Sequence, residues 1–498
     1  MLFRALIPLV ALAALHAAEI PDRPEKLSFP ALDYEAPDPA KFRVPLKSGP
    51  VAYVVPDREL PLVTVQVTVR TGSYLDPAGR EGLAGFAGAL LVRGGAGDKS
   101  AEAMEERLAF LAAQLGSGIG GDSGSVSLNL LSKDLDEGLR LLKDVLSNPR
   151  FQADKVELRR QQNFQELKQR NDDSANIEGL ELSILTLGKD FWASRQPTGA
   201  SITAITREDL VAFHRKWFHP ANFTVAASGD FDREDMVRRL EALFADWPHR
   251  GEIPPPLPAK PTQAAPGVYL ADKDVPQGRV SLVLPGVLRD DPDYPAIMVM
   301  NDILGGGGFT ARIMSRVRDD EGLAYAAGSS FPGGTWYPST FRAAFQSKSR
   351  TVAYASSIVL EEMRKIVAKP VTDTELQTAT RSFIDTFPEN FNTQGKVAAI
   401  FARDEFTGRF QKDPGFWKSY RRKLESVTAA DVQRVAAKHL TPEKAVILVV
   451  GKKEEILKPH PDHPVTLESL SPGGLHLLPP RDPVSLEPLP PKDANPAR

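Results

Sequence analysis

The side chains that could hold a metal or attack a carbonyl are few in this sequence and badly spaced for either task. Eight histidines and no cysteine occur among 498 residues. His214 and His219 stand five apart and flank Trp217, so they do not share the i, i+4 face that a helical zinc pair uses. His460 and His463 sit in a proline-rich stretch, and neither pair has a carboxylate at a convincing helical spacing. The absence of cysteine removes thiol nucleophiles, disulfides, thiolate metal sites and a lipidated N-terminus together. No Gly-x-Ser-x-Gly elbow supplies a serine nucleophile. Four glycines in a row, Gly305, Gly306, Gly307 and Gly308, look like a phosphate loop only superficially, because no Gly-Lys-Ser/Thr follows and Arg312 comes too late to act as its lysine. The run predicts a mobile or close-approach loop ahead of a helix.

Whatever chemistry remains is positioned by a chain that repeats itself. Residues 205–230 and 427–452 align without a gap at an offset of 222, the difference between 428 and 206. Thr206 matches Thr428, Asp209 matches Asp431, Lys216 matches Lys438, Pro220 matches Pro442 and Gly229 matches Gly451. Each copy reads as a Thr-x-x-Asp helix start, an apolar stripe (Leu210, Phe213 and Trp217; Val432 and Val435), a proline stop and a strand ending in glycine. Between the copies, residues 248–266 carry Pro254, Pro255, Pro256, Pro258 and Pro261 and predict a stiff extended linker. In the first half, alternation predicts strands over 63–69 and 126–131. Met104, Leu108, Leu111 and Leu115 predict an amphipathic helix after Ser100, and Leu135, Leu139, Leu142 and Leu146 another that stops at Asn148 and Pro149. The expected architecture is α+β in two similar halves, 50–247 and 267–457, each with helices on one face of a sheet. Residues 458–498 are again proline-rich and predict a disordered or wrapping tail.

A chain of this length needs more than one core, and 42% apolar residues mark it as globular. Its 61 basic and 64 acidic side chains leave a net charge of -3 without a basic stripe, which speaks against nucleic-acid binding. Arg4, an apolar run over 5–15, and Ala17 and Ala18 predict a secretory signal at 1–18, followed by an N-terminal extension over 19–49. The run is too short to span a bilayer, and the expectation is export to a bacterial periplasm.

Three stretches resemble the pitrilysin-type (inverzincin) zinc peptidases, and within them small bacterial subunits akin to mitochondrial processing peptidase. They are Gly72-Ser73-Tyr74, then Gly82-Leu83-Ala84-Gly85-Phe86-Ala87-Gly88-Ala89-Leu90, then Arg318 followed by Gly322-Leu323-Ala324-Tyr325. The resemblance covers about 51–457. It implies two homologous halves in a clam-shaped chamber for unfolded peptides, with His-x-x-Glu-His on a helix of the first half. Here Gly85 and Ala89 occupy the zinc-ligand positions and Gly88 the general-base position, so the motif has lost its donors. By the same resemblance Glu166, with Asp172 six residues on, stands at the third-ligand position; on composition alone it belongs to the solvated face of a charged helix.

The second half keeps what the first has lost. By resemblance, Arg318 and Tyr325 are the pair that reaches the substrate, and the backbone of Gly305, Gly306, Gly307 and Gly308 is a candidate substrate contact. A guanidinium fork suits peptide carbonyls and a phenol can donate to a developing oxyanion. From the residues alone, Arg318 could equally pair with Asp320 or Glu321 while Tyr325 sits in the core. The resemblance implies a non-catalytic, substrate-binding subunit of a heterodimeric zinc endopeptidase. Its partner would be a paralogous chain that carries the zinc motif and the zinc, and its substrates peptides or unfolded segments. The alternatives are a stand-alone structural or chaperone-like peptide-binding protein and, more distantly, a peptidase with a relocated metal site.

Overall fold

The computed structural model describes residues 22, 23, 26, 27 and 34–490. The predicted signal and the final residues of the tail lie outside the described residues. The unit beginning at Ala36 holds both halves.

Strict alternation writes the sheets. In β3 (Leu62–Val69), Val63, Val65, Val67 and Val69 are fully buried while Thr64, Gln66 and Thr68 face the other side. With β1 (Arg43–Pro45), β2 (Val51–Pro56), β4 (Gln114–Ile119), β5 (Gly124–Leu131) and β6 (Phe223–Gly229) it makes a sheet in the order β1-β2-β6-β3-β5-β4. The second half builds its own from β7 (Gly267–Asp272), β8 (Gln277–Pro285), β9 (Ala327–Ser330), β10 (Thr340–Lys348), β11 (Val446–Gly451) and β12 (Leu475–Leu478), in the order β12-β7-β11-β8-β10-β9. Five strands correspond one to one, including the parallel pairs β2 with β6 and β7 with β11. The outermost strands break the likeness, since β1 joins antiparallel and β12 parallel.

The principal helices of the first half are α1 (Leu83–Arg93), α2 (Ala101–Phe110), α3 (Leu135–Ser147), α4 (Ala153–Lys168), α5 (Ser174–Leu187) and α6 (Arg207–Trp217). In the second they are α7 (Tyr294–Asn301), α8 (Val352–Ala368), α9 (Gln394–Phe406), α10 (Phe416–Glu425) and α11 (Ala429–His439). The repeat read in sequence is repeated in detail. Thr206 caps α6 and Thr428 caps α11, each through a reciprocal box with Asp209 or Asp431, and each helix leads by a proline turn into a buried strand. One boundary differs from expectation. The helix after Ser100 ends at Phe110, and Leu115 lies on β4. Ala112 turns the chain through a left-handed conformation, φ 48°, and residues 114–119 carry two glycines that weaken a helix.

Each half has its own core, but each sheet's second face is covered by a helix of the other half. Helix α5 lies on β11 and β8, and α9 lies on β6 and β2. The two helices begin 220 residues apart (394 minus 174), close to the repeat offset. Apolar contact joins them to the opposite half, with Leu185 meeting Val446, Leu448 and Val450, and Phe401 meeting Phe42 and Tyr53. Buried carboxylates do the rest. Glu178 of α5 accepts from Ser281 Oγ at 2.6 Å and Arg342 Nη2 at 3.0 Å. Glu405 of α9 accepts from Arg43 Nε and Nη2, both at 2.9 Å, and from Tyr53 Oη at 3.0 Å. The two-half α+β architecture is as expected. Between the halves a cavity of ≈ 660 Å³ lies beneath α9, lined by Gln66, Thr68 and Ser125 on one side and Thr335, Ala399 and Ala402 on the other.

Residues 251–265 have no regular structure and touch α5 through Ala264 N to Leu185 O, 2.7 Å. The tail that was expected to be disordered or to wrap does the latter over its described part. After β12, Arg481 pairs with buried Glu181, Asn171 Nδ2 donates to Arg481 O, and Val484 packs against the first core.

Candidate functional site

The helix that carries the degenerate motif is α1, and its N-terminus is organised by Asp76. That carboxylate is buried and accepts from Gly82 N and Ala84 N, each at 2.8 Å, satisfying amides a helix start leaves free. Burial pushes its pKa up to about 6, against the pull of those two bonds. Sequence reasoning did not single out Asp76.

At the three motif positions the surroundings differ. Gly85 is exposed, and a Cβ there would meet nothing. Gly88 is buried against edge strand β4. A Cβ at Gly88 would overlap the Ile119 amide nitrogen and stand 2.9 Å from the Gly118 carbonyl carbon, and Ser117 Oγ donates to Gly88 O at 2.7 Å. The base position has been closed by backbone rather than left vacant. Glu166 is 61% exposed on α4 and bound by Arg159 at 2.9 Å. It is a solvated helical carboxylate. Among the described residues no three His, Cys, Asp or Glu side chains group closely enough to share a metal ion. The zinc of the family therefore does not fit this helix, on its donor set and on the space at Gly88.

His214 and His219 serve backbone. His214 is buried with Nε2 on Leu146 O at 2.9 Å, and burial holds its pKa down at about 3. His219 Nε2 lies 2.9 Å from Glu252 O. In the second half His463 stacks on Tyr354, with ring centroids 3.8 Å apart.

The second half repeats the close approach at its own edge. The turn Asp302–Gly306 extends α7 in π-helical form, and a Cβ at Gly305 would sit 2.5 Å from Ser329 N of β9. Gly305 is buried against β9 and, with Gly306, Gly328 and Ser329, lines a small cavity of ≈ 260 Å³. Gly306 and Gly308 are exposed, and Gly308 needs its φ of 66°.

Beside this turn, Phe309 is 70% and Tyr325 89% exposed. Arg318 lies over both rings, 4.7 Å from the Phe309 centroid and 5.6 Å from that of Tyr325. The alternative in which Arg318 pairs with neighbouring acids belongs instead to Arg316, which reaches Asp320 at 3.1 Å, Glu321 at 3.7 Å and Glu362 at 3.5 Å. Tyr325 is not in the core. Phe309 was missed in sequence, although a large apolar residue directly after four glycines was the available signal.

Residues 54–183 match the family described as Insulinase (Peptidase family M16), and residues 204–383 match the Peptidase M16 inactive domain. The chain belongs to the M16 peptidase family. This M16 chain is 27% identical over 336 residues to an uncharacterized zinc protease of Mycobacterium tuberculosis, covering 65% of this chain and 73% of that one. It is 30% identical over 207 residues to one of Mycobacterium leprae, covering 41% of this chain and 46% of the relative, so it spans about half of that protein. Among solved structures, a peptidase M16 inactive domain from Pseudomonas fluorescens superposes with TM-score 0.72 at 25% identity, covering 82% of this chain and 98% of that one. The periplasmic protease PqqL of Escherichia coli gives 0.70 at 16% identity, over 82% of this chain and 45% of its own. Among the described residues no helix of the M16 chain is long and apolar enough to cross a membrane.

Proposed function

We propose that this M16 chain is the non-catalytic, substrate-binding subunit of a heterodimeric zinc endopeptidase, secreted to the periplasm and paired with a paralogue that bears His-x-x-Glu-His. The observation that carries this reading is the contrast between the two halves. The motif helix has glycine sealed under β4, whereas Tyr325 stands out from the surface and Arg318, half-buried beside it, has no carboxylate in ion-pair range of its guanidinium among the described residues. An exposed aromatic side chain beside an unpaired guanidinium contributes nothing to this chain's own core, and both groups are donors to a peptide carbonyl. In the assembled enzyme Tyr325 donates to the carbonyl under attack in the partner's site, and Arg318 clamps a neighbouring carbonyl.

The test is steady-state kinetics on this chain co-expressed with its zinc-motif paralogue. Tyr325→Phe is expected to lower kcat about 100-fold, the loss of one oxyanion donor worth ~3 kcal/mol, with assembly intact. Arg318→Ala is expected to raise KM as well. Full activity in both correctly assembled variants would remove the clamp. Peptide binding by the isolated chain with no paralogue co-eluting would favour the stand-alone reading instead.

A further inference from the structure

The second half contains a pocket remote in kind from the Arg318 surface, and we infer that it binds a carboxylate carried on an apolar body. A cavity of ≈ 520 Å³ opens between the start of α7, the turn Arg409–Lys412 and one face of α10. Its walls include Tyr294, Met298, Phe416, Tyr420 and Leu424. Arg289 and Arg409 also line it, and their side chains are only 9% and 16% exposed.

The lining carries as many acids as bases, but the two buried guanidinium groups are short of close counter-ions of their own, and Arg409 lies over the Phe416 ring at 4.2 Å. Arg409 Nη1 has one buried counter-ion, Asp404, at 3.3 Å, and that carboxylate is shared with Trp417 Nε1 at 2.7 Å. Arg289 donates to Thr407 O at 3.2 Å, and its nearest carboxylate, Asp290 at 3.7 Å, is partly exposed and bound closer by Lys412 at 3.0 Å. The Nε of each arginine is buried without a hydrogen-bond partner. The remaining acids of the rim are engaged elsewhere. Asp293 holds Arg434 and Lys438, Asp413 faces Lys423, Asp431 caps α11, and Asp291 accepts the Asp293 amide. Desolvation and the proximity of Arg409 lower the pKa of Arg289, as expected of a cation short of counter-charge.

Arg289, whose nearest carboxylate is shared with Lys412, is a buried guanidinium short of an anion, and the group that relieves it best is a planar carboxylate matched to the guanidinium fork. The apolar walls require the carboxylate to arrive on an aryl or alkyl body, and the volume suits one large side chain or a small free acid. Two sources share that chemistry, the C-terminal residue of a peptide and a free apolar acid.

Calorimetric titration of the full chain with N-acetylphenylalanine, its amide, and a decapeptide ending in a free phenylalanine carboxylate tests the pocket. N-acetylphenylalanine is expected to bind at least tenfold more tightly than the amide. Arg289→Gln is expected to weaken the acid at least tenfold and leave the amide unchanged. Ser426→Trp, at an exposed rim position, blocks the cavity without touching either arginine and serves as the control should Arg289→Gln fold poorly. Binding of both acids identifies a peptide C-terminus as the source, and binding of N-acetylphenylalanine alone a free acid. No binding of either acid, equal affinity for acid and amide, or affinity unmoved by Ser426→Trp would overturn the proposal.

Discussion

A methyl group added at Gly88 would have to displace the Ile119 amide, whereas one added three residues earlier at Gly85 meets open solvent. Exchanging glycine for alanine in a helix favours the helix by about 1 kcal/mol, and overpacking costs about 1–3 kcal/mol. Gly85→Ala is therefore expected to raise the melting temperature and Gly88→Ala to lower it. Equal stabilisation by both would contradict the close approach of β4. It follows that rebuilding the motif is possible at Gly85 and Ala89 but not at the base position, where glutamate is larger than the alanine already refused. Asp76 supplies a prediction of a different kind. Its pKa is raised from 3.8 to about 6 in the folded chain, so the native state binds the proton more tightly than the unfolded one. Its contribution is most favourable below pH 4 and declines as pH climbs from about 4 to 6, by ~3 kcal/mol at most for a shift of this size. Asp76→Asn is expected to remove that decline. The difference in melting temperature between variant and parent, measured from pH 4 to 7, should change steadily across the window; a constant difference would show that the carboxyl does not titrate there.

Among the elements, α9 is held by Glu405 as well as by the buried apolar side chains Val397, Phe401 and Phe406. Glu405→Ala strands Arg43 and the Tyr53 hydroxyl under the helix, a loss expected near 3–5 kcal/mol, while Tyr53→Phe costs only ~1 kcal/mol because Arg43 keeps its partner. Chemical unfolding of the two variants gives the ranking, and a Glu405→Ala protein as stable as its parent would show that α9 docks without the pair. Neither Glu405 nor Glu178 was marked in sequence, because nothing local distinguishes an acid that will be buried under a distant sheet from one that stays in water. By contrast Thr206 and Thr428 declared their helices plainly, since a capping box involves only four consecutive residues. Leu115 misled for the opposite reason. An apolar residue four after Leu111 fits a helix, and only the left-handed turn at Ala112 reveals the strand. Arg318 and Tyr325 were legible through their spacing and ending alone, which do not tell whether a side chain faces solvent.

For the whole molecule, exchanged helices mean that neither half is finished without the other. A fragment spanning 36–247 would leave the outer faces of β2 and β6 uncovered and set α5 free with Leu185 exposed. It is expected to bind a hydrophobic dye and melt without a sharp transition, whereas the full chain melts cooperatively. A cooperative, dye-silent fragment would show that the exchange is an embellishment.

The strap formed by Arg481 and Val484 carries a consequence in time. Asn171 and Arg481 are 310 residues apart in sequence, and Val484 beside them packs against the first core. Contacts of such long range form late and slowly, after much of the entropy of closing the chain has been spent. During synthesis from the N-terminal end, the first half waits for nearly the whole polypeptide before its last wall arrives. If the chain is exported as its leading residues predict, that delay keeps it loose enough to be threaded through a translocon, and folding is completed only on the far side.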